Sequence, residues 1–430
     1  MNKGWLKCSL GKVISIKHGY SFKGEYFSQK GKYIILTPGN FHEEGGFRNT
    51  PGKEKYYIGQ FPVEYICSKN DLIVVMTEQA EGLLGSTALV PASDTFLHNQ
   101  RIGLISIDKG VIDRDFVNYL FRTKNVRNQI RDSASGSKVK HTSPSKIYDV
   151  RVELPPIDDQ KRIGHFLSIL DTKIELNNKI CSELESLAQD LYHYWFTQFD
   201  FPDERGRPYR SSGGKMVWNE KLGREIPEGW EVHRLLDHLQ INQNIINPSR
   251  YDFIGYLDTG NLTNNVVSFI QHIDMKSETP PSRARRKVEP NDILFSTVRP
   301  NQNHFGLIKE PGSNLVASTG FTILSSKIDK QYNEIFYLFI TLPENLKFLQ
   351  NIANTNVSAY PSINPEDIAG LMISLPKNLL VLSSMANTFS TIFSTITRFQ
   401  KESQELASLR DFLLPLLMNG QVKVGDSCSR

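Results

Sequence analysis

Residues 157–196 read IDDQKRIGHFLSILDTKIELNNKICSELESLAQDLYHYWF, and the fold of this chain follows from how that stretch is spaced. In steps of four and three it places Ile163, Leu167, Leu170, Ile174, Asn177, Cys181, Leu184, Ala188, Leu191 and Trp195 on one seam. Only Asn177 is clearly polar among them, which is the pattern of a coiled-coil heptad. At ~1.5 Å per residue the stretch forms a rod on the order of 60 Å long, well beyond an ordinary helix. A rod with one apolar stripe must find a partner for it. The chain supplies one: shifted by about 220 positions, the same slots hold Met385, Phe389, Ile392, Ile396, Phe399, Ser403, Leu406, Arg410, Leu413 and Leu417. Local wording agrees, with Leu184, Ser186, Leu187 and Leu191 falling on Leu406, Ser408, Leu409 and Leu413. If the rods pair antiparallel about their midpoints, Asn177 is expected to face Ser403 and Cys181 to face Phe399.

Working outward, Gly4–Trp5 opens a mixed segment with strand-like runs at Tyr33–Leu36, Asp71–Met76 and Arg101–Ile107 and a helical Phe116–Arg131. Leu154–Pro155–Pro156 ends it and starts the rod, since proline is accepted at a helix start. Phe201–Gly229 reads as a linker from its glycines, prolines and serines. Gly229–Trp230 then restarts the pattern. Asp292–Phe295 repeats Asp71–Val74, Tyr337–Phe339 repeats Tyr119–Phe121, and Pro365–Ile368 with Leu375–Pro376 repeats Pro144–Ile147 with Leu154–Pro155. The expected divisions are a first head at 1–152, a long helix at 153–200, a linker at 201–226, a second head at 227–376 and a distal long helix at 377–422. The ends and rods repeat while the middles of the heads diverge, as in a scaffold that presents two different heads.

With 430 residues, 39% of them hydrophobic and 22% charged, the chain can bury more than one core. No uninterrupted run of 18 apolar residues and no signal-peptide core is present, so a soluble, cytoplasmic protein without a membrane partner is expected. Cys8, Cys67, Cys181 and Cys428 are too scattered for a disulfide framework or a zinc site. Residues 4–152 carry 21 Lys+Arg against 14 Asp+Glu, whereas 151–200 carry 5 against 9. The positive charge sits on the first head rather than on the rod.

The segments LPPIDDQKRIGHFLSILDTKIELNNKI, WFTQFDFPDERGRPYRSSGGKM and IPEGWEV, in that order and spacing, resemble the specificity subunit of type I restriction-modification enzymes, and the resemblance spans essentially the whole chain. It implies an α+β protein with two globular target recognition domains separated by an antiparallel coiled-coil pair of long conserved helices, related by a pseudo-two-fold internal repeat. It also implies a non-catalytic subunit that reads a bipartite, asymmetric sequence on double-stranded DNA. Two methyltransferase subunits, and in a full complex two motor-nuclease subunits, would be held by it. S-adenosylmethionine, ATP and magnesium would belong to those partners, with no cofactor or metal in this chain. Arg410 in a seam slot and Pro415 in the last turn depart from a regular rod.

Candidate DNA contacts are Arg48, Lys53 and Lys55 beside Tyr56 and Tyr57, and Lys138, Lys140 and His141 just before the rod. In the second head they are Arg283, Arg285, Arg286 and Lys287, then Arg299 with Asn301 and Gln302. Arginine can grip guanine and Asn or Gln adenine with two hydrogen bonds each, and Lys and Arg neutralise phosphates. Each run alone also fits a solvated surface, and the second head has no net positive charge to support DNA binding. No GxxxxGK[ST] loop, strand-borne GxGxxG or Asn-Pro-Pro-aromatic tetrapeptide is found. Asp71, Glu78, Glu81 and Asp292 could be imagined as a nuclease metal site, but a strand-end Asp at the same place in both heads fits a turn better. His98, His141 and His304 lack ligand spacing. The competing readings are a single-chain carboxylate-metal nuclease and a scaffold that never touches DNA. Trp5 and Trp230 are expected to anchor their heads, and Tyr192, Tyr194, Trp195 and Phe196 either to cover a partner or to close the rod end.

Overall fold

The computed structural model describes residues 4–50, 52–137, 139–355 and 360–425. These divide into two compact units, Met1–Glu175 with Gln404–Arg430, and Leu176–Ser403. The helices Ile157–Tyr192 and Leu379–Met418 each contribute one part to either unit.

In the first unit an antiparallel sheet orders Ile14–His18, Ile102–Ile107, Leu72–Val75 and Thr87–Leu89. A second sheet orders Phe27–Ser28, Tyr56–Tyr57, Tyr33–Ile35 and Phe96–Leu97, its last pair parallel. Leu6–Ser9 pairs with Arg151–Leu154, joining the two ends of the head. The second unit repeats this plan. Leu239–Ile241, Phe321–Ser326, Asp292–Ser296 and Phe305–Ile308 form the antiparallel sheet. Gln271–Asp274, Phe253–Leu257, Leu315–Ser318 and Ala284–Lys287 form the other, with its middle pair parallel. Trp230–Arg234 pairs with Met372–Pro376. The heads differ at the edge of that second sheet, where Ala284–Lys287 adds a strand beyond the parallel pair.

The strand-end aspartates show how closely the turns match. Asp71 accepts the backbone N–H of Ser68 and Asp292 that of Glu289, each at 2.8 Å. Each follows a left-handed asparagine, Asn70 at φ 67° and Asn291 at φ 66°, a conformation in which asparagine is favoured over other non-glycine residues. These carboxylates hold turns, as the shared position suggests.

Within each unit the two helices pair antiparallel. In the first, Asp171 meets Arg410, while Ile163 and Leu167 share a core with Leu417 and Met418. In the second, Asn177 Nδ2 donates to Glu402 Oε2 at 2.8 Å, Cys181 Sγ lies 3.6 Å from the Ile396 carbonyl, and Trp195 packs edge-on against Phe389. Asn177 thus bonds the neighbour of Ser403, and Cys181 approaches Ile396 rather than Phe399. Ile163, Leu167, Leu170, Asn177, Phe389 and Ile396 are buried, and Ile174, Leu184, Leu191, Ile392, Phe399, Leu406 and Leu413 are half-buried, so each of these faces protein.

Arg410 fits its seam slot because Asp171 answers it. Asp171 accepts Arg410 Nη1 at 2.6 Å, Arg122 Nη1 at 2.9 Å and the Tyr119 hydroxyl at 2.7 Å. The head is seated by two further residues of the helix start. Gln160, buried, accepts the Asp113 N–H and donates to the carbonyls of Val111 and Pro155. Gly164 lets the head's backbone close in, since a Cβ there would stand 2.7 Å from Phe116 N. Pro415 leaves the helix intact to Met418.

Two expectations are corrected. The stretch 201–226 is folded: Met216–Asn219 pairs with Arg224–Pro227, Asp200 accepts the Ser211 N–H and hydroxyl, and Phe201 is buried between Tyr209 and Trp230. Its turns come from Gly and Pro, but its aromatics supply a core. Trp230 is buried against Phe196, Phe199 and Phe201, whereas Trp5 is only half-buried and anchors its strand less completely. Tyr192 at the end of the helix, with Trp195 and Phe196 in the π-helical turn His193–Thr197 that follows, closes the rod end, and Tyr194 alone of the four stays exposed. By length and composition Leu379–Met418 could cross a membrane, with an 18-residue window of mean hydropathy 1.4. Its Leu382, Met385, Phe389, Phe393 and Ile396 instead lie in the core of the second unit.

Candidate nucleic-acid interface

Both heads join the segment after a central strand to the segment before a short helix by the same pair of backbone hydrogen bonds. In the first head Thr142 N donates to Met76 O and Glu78 N to Lys140 O, both at 2.9 Å. In the second, Ile363 N donates to Thr297 O and Arg299 N to Pro361 O, again at 2.9 Å. Met76 N in turn reaches Arg101 O, and Thr297 N reaches Gly320 O. The segments around Lys140–His141 and around Arg299 therefore occupy one equivalent edge, although their side chains do not match.

At this edge in the first head, exposed His141 places Nδ1 3.1 Å from the Thr77 hydroxyl, beside half-buried Lys140 and exposed Arg101. Lys138 lies outside the described residues. Glu78 Oε1 accepts the Gly82 N–H at 3.1 Å. Arg48, Lys53 and Lys55 are exposed but belong elsewhere: Arg48 N bonds Asn40 O, and Lys55 O accepts from Ile35 at the second sheet. No contact joins these three to the Lys140 edge among the described residues.

In the second head the edge gathers more of the candidates. Arg283 O accepts the Thr319 N–H, and the adjacent Gly320 O accepts both the N–H and the hydroxyl of Thr297. Arg283 is thereby brought to the turn that supports Arg299, and Arg283, Arg299, Asn301 and Gln302 are all exposed there. Arg299 stands at φ 49°, in the left-handed region, with its guanidinium carbon 5.4 Å from the ring centre of exposed Tyr360. Asn301 N donates to Gln350 Oε1 at 2.9 Å. Arg285 is exposed, with Nε bonded to Ser282 O. Arg286 and Lys287 are less available than their density in the sequence implies. Arg286 is half-buried, burial lowers the pKa of its guanidinium, and its Nη1 is enclosed without a partner. Lys287 pairs with Glu289 at 2.8 Å.

The histidines are held by hydrogen bonds. His98 is buried with Nε2 2.8 Å from Ile102 O, and burial pushes its pKa down to about 4. His304 Nδ1 lies 2.8 Å from Leu262 O and 3.0 Å from the Thr263 hydroxyl. Among the described residues no group of three His, Cys, Asp or Glu side chains gathers as a metal site would require.

The outer face of the helix pair carries the other shared feature. Glu183, Ser186 and Leu187 are exposed, and so are Glu405, Ser408 and Leu409 at the repeat-equivalent places. At spacing i, i+3, i+4 each set forms one surface turn. The packed positions between them differ, Glu185 against Ala407 and Ala188 against Arg410. Sequence reasoning named Glu78 only as an imagined metal ligand, and the backbone pairing brings out its equivalence to Arg299.

Residues 2–186 match the family model described as type I restriction modification DNA specificity domain. The MjaIX type I restriction enzyme specificity subunit of Methanocaldococcus jannaschii is 26% identical over 361 residues, covering 82% of this chain and 78% of that protein. The EcoBI specificity subunit of Escherichia coli is 25% identical over 315 residues, covering 69% of this chain and 61% of that protein. A crystal structure of the S subunit of a type I restriction-modification system from M. genitalium shares the fold, with a TM-score of 0.60 over 97% of this chain and 96% of that one at 16% identity. Domain match, relatives and doubled fold agree in likening the chain to the specificity subunits of type I restriction-modification systems.

Proposed function

We propose that this chain selects the DNA sequence on which a type I restriction-modification complex acts, each head reading one half of a bipartite, asymmetric target with unread base pairs between. The observation that carries this reading is the duplication itself. One head fold appears twice with different side chains on its equivalent edge, as two readers of different half-sites require. The edges supply exposed Arg, His, Asn and Gln and a half-buried Lys, the groups that bind phosphates and base edges.

The chemistry resides in partner subunits on this reading. Two copies of a methyltransferase subunit, bringing S-adenosylmethionine, dock on the helices, and two motor-nuclease subunits with ATP and magnesium join in a full complex. Support for a pair of identical partners comes from the two exposed Glu-x-x-Ser-Leu turns, kept alike where packing imposes no need. The protein works in the cytoplasm, where that DNA is. Purified alone, the chain should neither methylate nor cleave DNA.

The test is methylation mapping of genomic DNA from cells with and without this chain, alongside its methyltransferase subunit. A gapped motif that appears only with the chain is the expected result. Methylation that does not depend on the chain refutes the reading.

A further inference from the structure

We propose that the slot held by Glu78 in the first head and by Arg299 in the second is a base-reading position, with Arg299 donating to a guanine and Glu78 accepting from the amino group of a cytosine. The inference rests on the DNA-reading function above and names where each head reads.

Three observations converge on the slot. The first is positional: Glu78 N and Arg299 N make the same backbone hydrogen bond, to Lys140 O and Pro361 O, within the same frame. A fixed backbone presenting opposite charges is how one fold would read different bases. The second is backbone strain at Arg299. Among the described residues the other left-handed non-glycine residues are Asn or Asp, apart from Phe199, which is buried in a core. Arg299 is exposed; its carbonyl accepts the Gln302 N–H, but among the described residues its side chain makes no hydrogen bond back to the turn, as an Asn or Asp could. Such conformations persist where surrounding structure imposes them, and they gather at functional sites. The third is availability. The guanidinium rests over Tyr360, and among the described residues no carboxylate pairs with it. Stacking leaves its planar fork of donors free, and that fork matches the O6 and N7 acceptors of guanine in the major groove.

The surroundings suit a duplex. Arg283, Asn301 and Gln302 flank Arg299, and Arg101, Lys140 and His141 flank Glu78. Glu78 is thus a half-buried carboxylate beside basic Arg101, Lys140 and His141, with Glu43 and Glu81 close to its partner Gly82. It would repel phosphate, which makes base contact the better use of it. Its second oxygen, Oε2, remains for a base while Oε1 holds the Gly82 N–H.

The experiment maps methylation motifs and relative methylation rates for the complex carrying Arg299→Gly, Arg299→Lys or Glu78→Gln in the full chain. Glycine suits the left-handed backbone, so Arg299→Gly should melt at or above the wild-type temperature, and lost function there cannot come from misfolding. It should lower discrimination at one G·C pair of one half-site by about 5- to 150-fold, leaving the other half-site intact. Arg299→Lys should keep binding while relaxing the same position. Glu78→Gln should change a single position of the opposite half-site, from cytosine towards adenine. Uniform weakening on all sequences would make Arg299 a phosphate contact and overturn the proposal, as would unchanged motifs in all three variants. If the wild-type complex itself shows no chain-dependent motif, the DNA-reading function fails first, and the slot falls with it.

Discussion

Asp171→Asn should loosen the first unit by an amount the geometry allows to be estimated. The carboxylate accepts hydrogen bonds from Tyr119, Arg122 and Arg410 at 2.7, 2.9 and 2.6 Å. The Arg122 and Arg410 side chains are 7% and 15% exposed, so the amide would leave Arg122 enclosed without a counter-charge and Arg410 with only its exposed neighbour Asp411. Removing one side of a buried ion pair costs about 3–5 kcal/mol. Asp171 is itself 27% exposed, and screening through that opening brings the expected loss to about 2–4 kcal/mol. For a unit of this size that is a fall of roughly 5–12 °C in melting midpoint. Differential scanning calorimetry of the chain, with the exposed Asp190→Asn as control, reads it directly. The pH dependence gives a second handle. Burial alone would raise the Asp171 carboxyl, but the charge of Arg122 and the hydrogen bond and charge of Arg410 outweigh it, leaving the pKa below 3.8. A lowered pKa stabilises the fold above the unfolded value, and that contribution vanishes as pH falls through the folded one. Wild type should therefore lose more stability than the variant on acidification from about pH 5 to 3. A midpoint within about 1 °C of wild type at neutral pH would refute the reasoning.

Burying Glu185 has the opposite sign: burial, only partly offset by the Asn265 amide, raises its carboxyl to about 7, from 4.5. The stability this provides is full below pH 4.5 and lost as pH rises through 7, so Glu185→Gln should flatten the melting-temperature profile between those values and melt higher than wild type at pH 8. Trp230→Ala empties a site enclosed by Phe196, Phe199 and Phe201, and should cost the second unit about 3–5 kcal/mol, read as a lowered urea midpoint. On the helix faces, Leu187→Asp should leave one methyltransferase subunit bound, and Leu187→Asp with Leu409→Asp none, by native mass spectrometry. Retention of both subunits by the double variant would remove the two turns from the docking face.

The helix pair was legible because a heptad is written in side-chain type, and the midpoint register falls within a residue at Asn177 and Glu402. The repeat was legible at its ends for the same reason. What escaped reading depends on partners distant in sequence. Arg410 looked like a fault until Asp171 stood opposite it. The stretch 201–226 announces turns through Gly and Pro, but whether Phe201 and Tyr209 stack on one another and beside Trp230 is decided by the fold. Arg286 and Lys287 counted as a basic run, yet burial and Glu289 occupy them. The shared edge of the heads is made of backbone hydrogen bonds, to which side-chain patterns are blind.

Asp171 has a counterpart that makes the two halves of the chain unequal. Under the repeat, its place is taken by Phe393 and that of Arg410 by Ala188, in a core where Phe393 packs edge-on against Tyr337 at 5.5 Å. Two copies of the first half would set Ala188 against Asp171, depriving each carboxylate of one guanidinium. Two copies of the second half would press Arg410 into the aromatic pocket around Phe393. Each half is thus a poor mate for itself and a good one for the other. A chain made symmetric by repeating either half would have to exchange this polar and aromatic pair together with the heads.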